Sequence, residues 1–355
     1  MKIDNMNQQY SAWRSAKTLV ECEAVIRENS IAMDIWMATH KPVIIMCPPT
    51  YYSVDKGNDA SGEVAGNAFL KYGYEAYFKD AVTNYEVMQE EWQNFHDLLQ
   101  ERGAEIILIP PHEKFPDQVF TADLSFSCVS FTRDGEQLQQ QSAVTVLSRP
   151  AHPNRIDEMR IFSDFLESLK NNLQTRELMQ GRKILQSQSY LEGVGDNILD
   201  SYRGIIISGY GLRNAETSLP ALATMTGLPV YGVKCKKPFF HIDTTFAALP
   251  NGYVLYAPEV MHEESVTALE NALFKGHYEL KAKYGITVSL QDAFHFACNA
   301  VIVGKTIILQ DCSNALKTAL QRKGLDVIYT AANIANYAGG SLHCMSNTFN
   351  QPVFI

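Results

Sequence analysis

Short apolar runs, most of them bounded by glycine or proline, alternate along this chain with longer stretches in which apolar residues recur every three or four positions. The runs KPVIIMCPP (41–49), AEIILIPP (104–111), FSCVSF (126–131), SAVTVLS (142–148), RGIIISG (203–209), YVLYA (253–257), AVIVGKTIIL (300–309) and LDVIY (325–329) are rich in β-branched residues and predict strands. In NYEVMQEEWQNFHDLLQERG (84–103), Val87, Met88, Trp92, Phe95, Leu98 and Leu99 fall on one helical stripe, with Gly103 at the expected stop. DEMRIFSDFLESL (157–169) repeats the pattern with Met159, Phe162, Phe165, Leu166 and Leu169, and SNALKTALQRKG (313–324) opens on Ser313 and stops at Gly324. Helices alternating with strands imply an α/β architecture. Pairs such as 104–111 with 119–131 suggest antiparallel hairpins as well, which suit a plain doubly wound sheet poorly.

Residues 1–38 read as an N-terminal helical extension, and no composition shift marks a second domain, so 39–355 is expected to be a single unit. TYYSVDKGNDASGEVAG (50–66) is polar, glycine-rich and without periodicity, which predicts a long loop after the first strand.

Composition narrows the function classes. The 355 residues are 46% hydrophobic, enough for a large core, yet no run approaches the ~18–20 apolar residues of a membrane span. The N-terminal residues are too polar for a signal peptide, so a cytoplasmic location is expected. Seven cysteines, scattered and never in a CxxC pair, argue against a disulfide framework and a zinc ribbon. With 30 basic against 39 acidic residues and no basic run beyond KCKK (234–237), nucleic acid is excluded as a partner.

Several polar residues sit badly with their neighbours. FPDQVFTADLSFS (115–127) carries Asp117 and Asp123 in a strand-like apolar run, and YLEGVGDN (190–197) brackets two glycines with Glu192 and Asp196. In FFHIDTTF (239–246), a strand reading puts His241 and Asp243 on one face and Ile242 on the other. SGYGLRNAETS (208–218) has Asn214 where a dinucleotide fingerprint needs its third glycine, so that reading fails, and Arg213 suits a carboxylate clamp instead. Cys344 stands just past a glycine pair in GGSLHCMSNTF (339–349). One thiol, one imidazole, several carboxylates and an arginine suit attack by a thiolate on a cationic planar carbon, and guanidinium is the natural candidate. Acids crowded into one pocket repel each other unless a cation enters, so the expected ligand is a small cationic guanidino compound.

FPDQVFTAD, YLEGVGDN, GYGLRN, FHIDTTF, FACNAVIVG (296–304) and GGSLHCMSN, in that order, resemble the guanidino-group-modifying superfamily of arginine deiminases, dimethylarginine dimethylaminohydrolases and amidinotransferases. The likeness runs from IIMCPP near residue 44 to the C-terminus. It implies the pentein fold, a five-bladed α/β propeller of pseudo-fivefold symmetry around a polar channel. It also implies Cys344 as nucleophile, His241 as general acid and base, and Glu192 as the carboxylate that orients the histidine and touches the guanidinium. Asp123 and Asp243 would grip the guanidinium nitrogens and Arg213 the substrate α-carboxylate, with Asp117 a further binding residue. No metal and no cofactor is implied. His343 is read as structural, because adjacent residues of an extended segment point in opposite directions. The implied activity is hydrolysis of arginine or a methylated arginine to citrulline and ammonia or amine, through a thiouronium on Cys344. Amidino transfer to an acceptor amine and guanidinium binding without turnover are the alternatives. Homo-oligomerisation is compatible with the chain.

Overall fold

The computed structural model of the chain describes residues 12–54 and 67–355. Strands β1 (Val43–Met46) and β2 (Glu105–Leu108) are parallel neighbours, and helices Leu70–Lys79 and Ala81–Glu101 make the crossover that parallel strands require. Next, β3 (Ser125–Asp134) and β4 (Gln137–Leu147) form an antiparallel hairpin; the chain passes through helix Glu158–Asn171 and returns as β5 (Arg182–Gln186), parallel to β4. This unit of hairpin, helix and parallel strand recurs three times. Its strands are β6 (Asn197–Asp200), β7 (Ile205–Gly209) and β8 (Val230–Val233), then β9 (Phe246–Ala248), β10 (Val254–Tyr256) and β11 (Gly285–Thr287), then β12 (Val301–Val303), β13 (Thr306–Leu309) and β14 (Asp326–Tyr329). At the C-terminus β15 (Asn347–Thr348) pairs antiparallel with β1 and completes a unit whose other strands lie at the start of the chain. Finally β16 (Gln351–Phe354) joins β3 in parallel. The C-terminal segment is thereby stitched into the first two sheets.

The helical stripes pack as their periodicity requires. Met88, Trp92, Phe95 and Leu99 are buried on the first-sheet side with Ile44 and Met46, while Val87 and Leu98 flank them partly covered. Met159, Phe162, Leu166 and Leu169 pack with Val43, Ile45 and Phe349. Ser313 caps helix Asn314–Arg322 by accepting from the Leu316 amide, and Gly324 follows with a positive φ of 78°.

Four expectations change. AVIVGKTIIL is two strands, not one, because Gly304 takes a positive φ of 62° and turns the chain between β12 and β13. The run 104–111 supplies the parallel strand β2, and the hairpin expected with 119–131 is formed instead by β3 and β4. Residues 115–124 hold two 3-10 turns, Pro116–Val119 and Thr121–Leu124; Pro116 starts the first, and the Thr121 hydroxyl donates to the Ile45 carbonyl at 2.9 Å to anchor the second. His241 precedes a third 3-10 turn, Ile242–Thr244, rather than lying in a strand.

Within the expected N-terminal extension, residues 1–11 lie outside the described residues. Thr18 and Glu21 form a reciprocal capping box that starts helix Leu19–Thr39, and this helix buries Cys22, Ile26, Ala32 and Trp36. Of the loop expected at 50–66, residues 55–66 lie outside the described residues, while Tyr52 is buried and its hydroxyl donates to the Ile334 carbonyl at 3.0 Å. Among the described residues no helix is long and apolar enough to cross a membrane.

Candidate active site

Cys344 sits in a turn closed by the amide of Met345 on the Leu342 carbonyl at 3.1 Å and that of Ser346 on the His343 carbonyl at 3.0 Å. The Ala122 amide donates to the Cys344 carbonyl at 3.1 Å, which pins this turn to the one that carries Asp123. Asn299 clasps the cysteine from both sides: its Oδ1 accepts from the Cys344 amide at 3.2 Å and its Nδ2 donates to Sγ at 3.2 Å. Sγ lies 3.3 Å from Asp243 Oδ2, placed to donate to it. Burial, with Asp243 and Asp123 adding negative charge nearby, pushes the thiol well above its ordinary range. The resting sulfur is therefore protonated, and a cation brought beside it would favour the thiolate.

His241 Nε2 bonds Glu192 Oε2 at 2.7 Å, and Nδ1 lies 3.5 Å from Asp123 Oδ1. Burial alone would make this imidazole lose its proton, but Asp123, Asp196 and Glu192 outweigh it and raise His241 to about 9. Burial works against the Glu192 charge too, and is overcome by Arg213, by His241 and by the Ala151 amide, so its carboxyl titrates below the usual range. Glu192 is completely buried, and Arg213 Nη1 reaches its Oε2 at 3.0 Å while the Ala151 amide reaches Oε1 at 2.9 Å. It orients His241 from behind.

The glycines of EGVGDN have a steric reason. A Cβ on Gly195 would stand 2.4 Å from Asp123 Oδ1 and 3.2 Å from His241 Nδ1, and one on Gly193 would stand 2.0 Å from the Ala122 carbonyl oxygen. Only a bare backbone lets this segment pass beneath the two functional side chains. Asp196 ties the motif to its neighbours by accepting from the amides of Ile242 at 3.0 Å and Asn214 at 3.2 Å. Asn214, which spoils the dinucleotide fingerprint, instead accepts from the Glu192 amide at 2.7 Å and donates to Asn197 and Ser208.

Cys344, His241, Asp123, Asp117 and Arg213 all line one cavity of about 550 Å³, part of it open to solvent. Asp123 Oδ1 is buried and makes no hydrogen bond among the described residues, with His241 Nδ1 3.5 Å away. Asp243 stands behind the sulfur, on the wall of a second cavity, and its Oδ1 likewise makes none. Arg213 lies over the Phe240 ring, 4.8 Å from its centroid. A metal could draw one atom each from Asp123, Glu192 and His241, which approach within 4.8 Å of one another. These carboxylates already meet the cations Arg155 and Arg213.

Two neighbours of the site escaped the sequence reading, and a third, His343, is placed differently from its expectation. Arg155 Nη1 pairs with Asp123 Oδ2 at 2.5 Å, its Nη2 with Glu158 Oε2 at 2.7 Å, and it lines the same cavity. RxxE at the head of a helix was its available signal. Asn299 was visible only inside FACNAVIVG. His343 lies in a turn, not an extended segment, so its ring is brought to Asp243 Oδ2 at 2.9 Å.

A family model described as eukaryotic N,N dimethylarginine dimethylhydrolase matches residues 71–350. Among curated proteins, the bifunctional arginine dihydrolase/ornithine cyclodeaminase AgrE of Nostoc sp. is 29% identical over 310 residues, 87% of this chain and 38% of that protein. The chain thus spans well under half the length of this relative. The N(G),N(G)-dimethylarginine dimethylaminohydrolase of Mycobacterium tuberculosis is 26% identical over 265 residues, covering 74% of this chain and 76% of that one. The crystal structure of the N-terminal domain of ArgZ bound to substrate, a cyanobacterial arginine dihydrolase, superposes with a TM-score of 0.70 at 26% identity, over 88% of this chain and 99% of that one.

Proposed function

The chain belongs to the N,N-dimethylarginine dimethylhydrolase family, hydrolases acting on guanidino C–N bonds, and on that premise we propose that it hydrolyses arginine or a methylated arginine to citrulline and ammonia or an amine. One observation carries the reading: a buried thiol and an imidazole share a cavity with Asp123, whose Oδ1 makes no hydrogen bond among the described residues, and the negative field there is what a guanidinium would relieve.

The guanidinium donates to Asp123 Oδ1 and lowers the cost of a thiolate on Cys344. The sulfur adds to the guanidinium carbon and gives a tetrahedral adduct. His241, held protonated and oriented by Glu192, delivers its proton to the departing nitrogen, leaving an alkylthiouronium on Cys344. Neutral His241 then takes a proton from the incoming water, and collapse of the second adduct frees citrulline and the thiol. Arg213, on the cavity wall, serves the substrate α-carboxylate, and Arg155 holds Asp123 at its station.

The five sheets, four with one antiparallel and one parallel pairing around a middle strand and the fifth with β16 added in parallel to the same arrangement, fit five blades of a pentein-type propeller with pseudo-fivefold symmetry, formed by residues 39–355, with 1–38 as a helical extension. The test is product analysis by mass spectrometry after incubation with arginine, monomethylarginine and dimethylarginine, each with and without glycine, lysine or ornithine. Citrulline formed without an acceptor supports the reading, and the released amine names the substrate. An amidinated acceptor would replace it with amidino transfer; ornithine, ammonia and carbon dioxide from arginine alone would replace it with hydrolysis of all three guanidino C–N bonds.

A further inference from the structure

Four arginines are buried among the described residues, and three of them hold a carboxylate: Arg155 meets Asp123 and Glu158, Arg203 meets Asp200, and Arg213 meets Glu192. Arg182, the first residue of β5 and only 7% exposed, forms no ion pair among the described residues. Its Nε donates to the Leu178 carbonyl at 3.2 Å, and its Nη1 to the Val144 carbonyl at 3.3 Å and the Thr145 hydroxyl at 3.1 Å. Its guanidinium carbon lies 4.2 Å from the centroid of the Phe349 ring. These partners are all neutral, and Nη2 makes no hydrogen bond among the described residues.

A guanidinium keeps its charge even when buried, and a buried charge without an opposite one is costly. Burial pulls Arg182 down to about 10, which still leaves it charged at neutral pH; the group that opposes this shift is the Cys128 thiol, itself pushed up to about 12 by burial and so uncharged. The fold thus carries an uncompensated cation, and it stands beside open space. Arg182 lines a cavity of about 960 Å³, part of it open to solvent, which shares no residue with the cavity of Cys344. Occupancy of the one does not depend on the chemistry of the other.

We propose that this cavity binds a small organic carboxylate, a monoanion with an apolar body, whose oxygen accepts from Arg182 Nη2. The walls argue for that class. Trp36, Val129 and Phe131 are buried residues that line the cavity and suit an apolar body. The other charged residues lining it are exposed: Lys41, which forms no ion pair among the described residues, against Glu105 and Glu177. His40 lines it too, stacked on Trp36. One negative charge is therefore balanced by Arg182, while a polyanion would bring further charge toward two carboxylates with Lys41 to offset them. Arg182 offers the planar donor geometry that a carboxylate matches.

Isothermal titration of the full chain with hexanoate tests this, with hexanol, hexylammonium and inorganic phosphate as comparisons and melting curves to confirm that each variant folds. A single hexanoate should bind, and hexanol and hexylammonium should not. Arg182→Met should weaken hexanoate by roughly tenfold to a hundredfold, the loss of a hydrogen bond to a charged group. Lys41→Glu, an exposed change that leaves the core alone, should weaken it by roughly threefold or more. Hexanoate affinity unchanged in both variants, or in Lys41→Glu if Arg182→Met does not fold, would overturn the assignment. Phosphate bound in place of hexanoate, or no binding of hexanoate at millimolar concentration, would overturn it as well.

Discussion

Glu192→Gln keeps the shape of the side chain behind His241 and removes its charge. In the wild type His241 is raised to about 9, against the pull of burial, by Asp123, Asp196 and Glu192 together, and the 2.7 Å bond to Glu192 is its one direct hydrogen bond to a carboxylate. A hydrogen bond to a charged group contributes about 1.5–3 kcal/mol. At about 1.4 kcal/mol per pH unit, losing the charged component lowers the His241 pKa by roughly one to two units. A general acid works only while protonated, so the rate falls as pH rises through its pKa. The kcat/KM profile of the wild type should accordingly lose its alkaline limb near pH 9, and that of Glu192→Gln roughly one to two units lower, since this profile reports the free enzyme. The substitution also removes the buried carboxylate 3.0 Å from Arg213 Nη1, so a destabilisation of up to about 3–5 kcal/mol accompanies it and melting curves must set the working temperature. An alkaline limb that stays in place in the folded variant would refute the assignment of His241 as the acid that Glu192 holds protonated.

Arg155→Ala leaves Asp123 and Glu158 buried without their shared cation, and urea unfolding should show a loss of about 3–5 kcal/mol; a loss below about 1 kcal/mol would mean that the trio contributes little. Gly195→Ala drives a methyl to within 2.4 Å of Asp123 Oδ1, so kcat/KM should drop at least roughly tenfold, as ångström-scale misplacement of reacting groups does, and wild-type kinetics would contradict the packing described. Arg213→Ala should weaken arginine much more than agmatine, which lacks the α-carboxylate, when the two are compared by kcat/KM; equal losses would remove its role as a carboxylate clamp.

The parts of this molecule readable in the sequence are those whose chemistry is local. Helix Ala81–Glu101 announces itself because Met88, Trp92, Phe95 and Leu99 repeat at helical spacing and all four are buried. Cys344, His241, Asp123, Asp117 and Arg213 stood out as polar residues in poor company, and one cavity gathers them. Strands of two to five residues such as β9, β11 and β15 carry too few positions for an alternation to register, and their pairing is set by partners far along the chain. His241 and Asp243 still flank an Ile242 turned into the apolar core, but a 3-10 turn rather than a strand carries Asp243, and the two side chains line different cavities. Arg155 and Asn299 were hidden for another reason. An arginine three residues before a glutamate reads as an ordinary helix pair, and only the fold brings Asp123 to the same guanidinium. The reason given for setting His343 apart from the cysteine, an extended segment, does not hold, because a turn carries both.

If the Cys344 sulfur bonds to the guanidinium carbon, acid-quenched turnover followed by peptide mass spectrometry will show a mass increase matching an alkylthiouronium on the peptide containing Cys344. The increase should be absent from Cys344→Ser, which should still fold because its hydroxyl can meet Asn299 and Asp243 where the thiol does. Product released by Cys344→Ser at the wild-type rate, with no adduct at Cys344 in either protein, would contradict that bond.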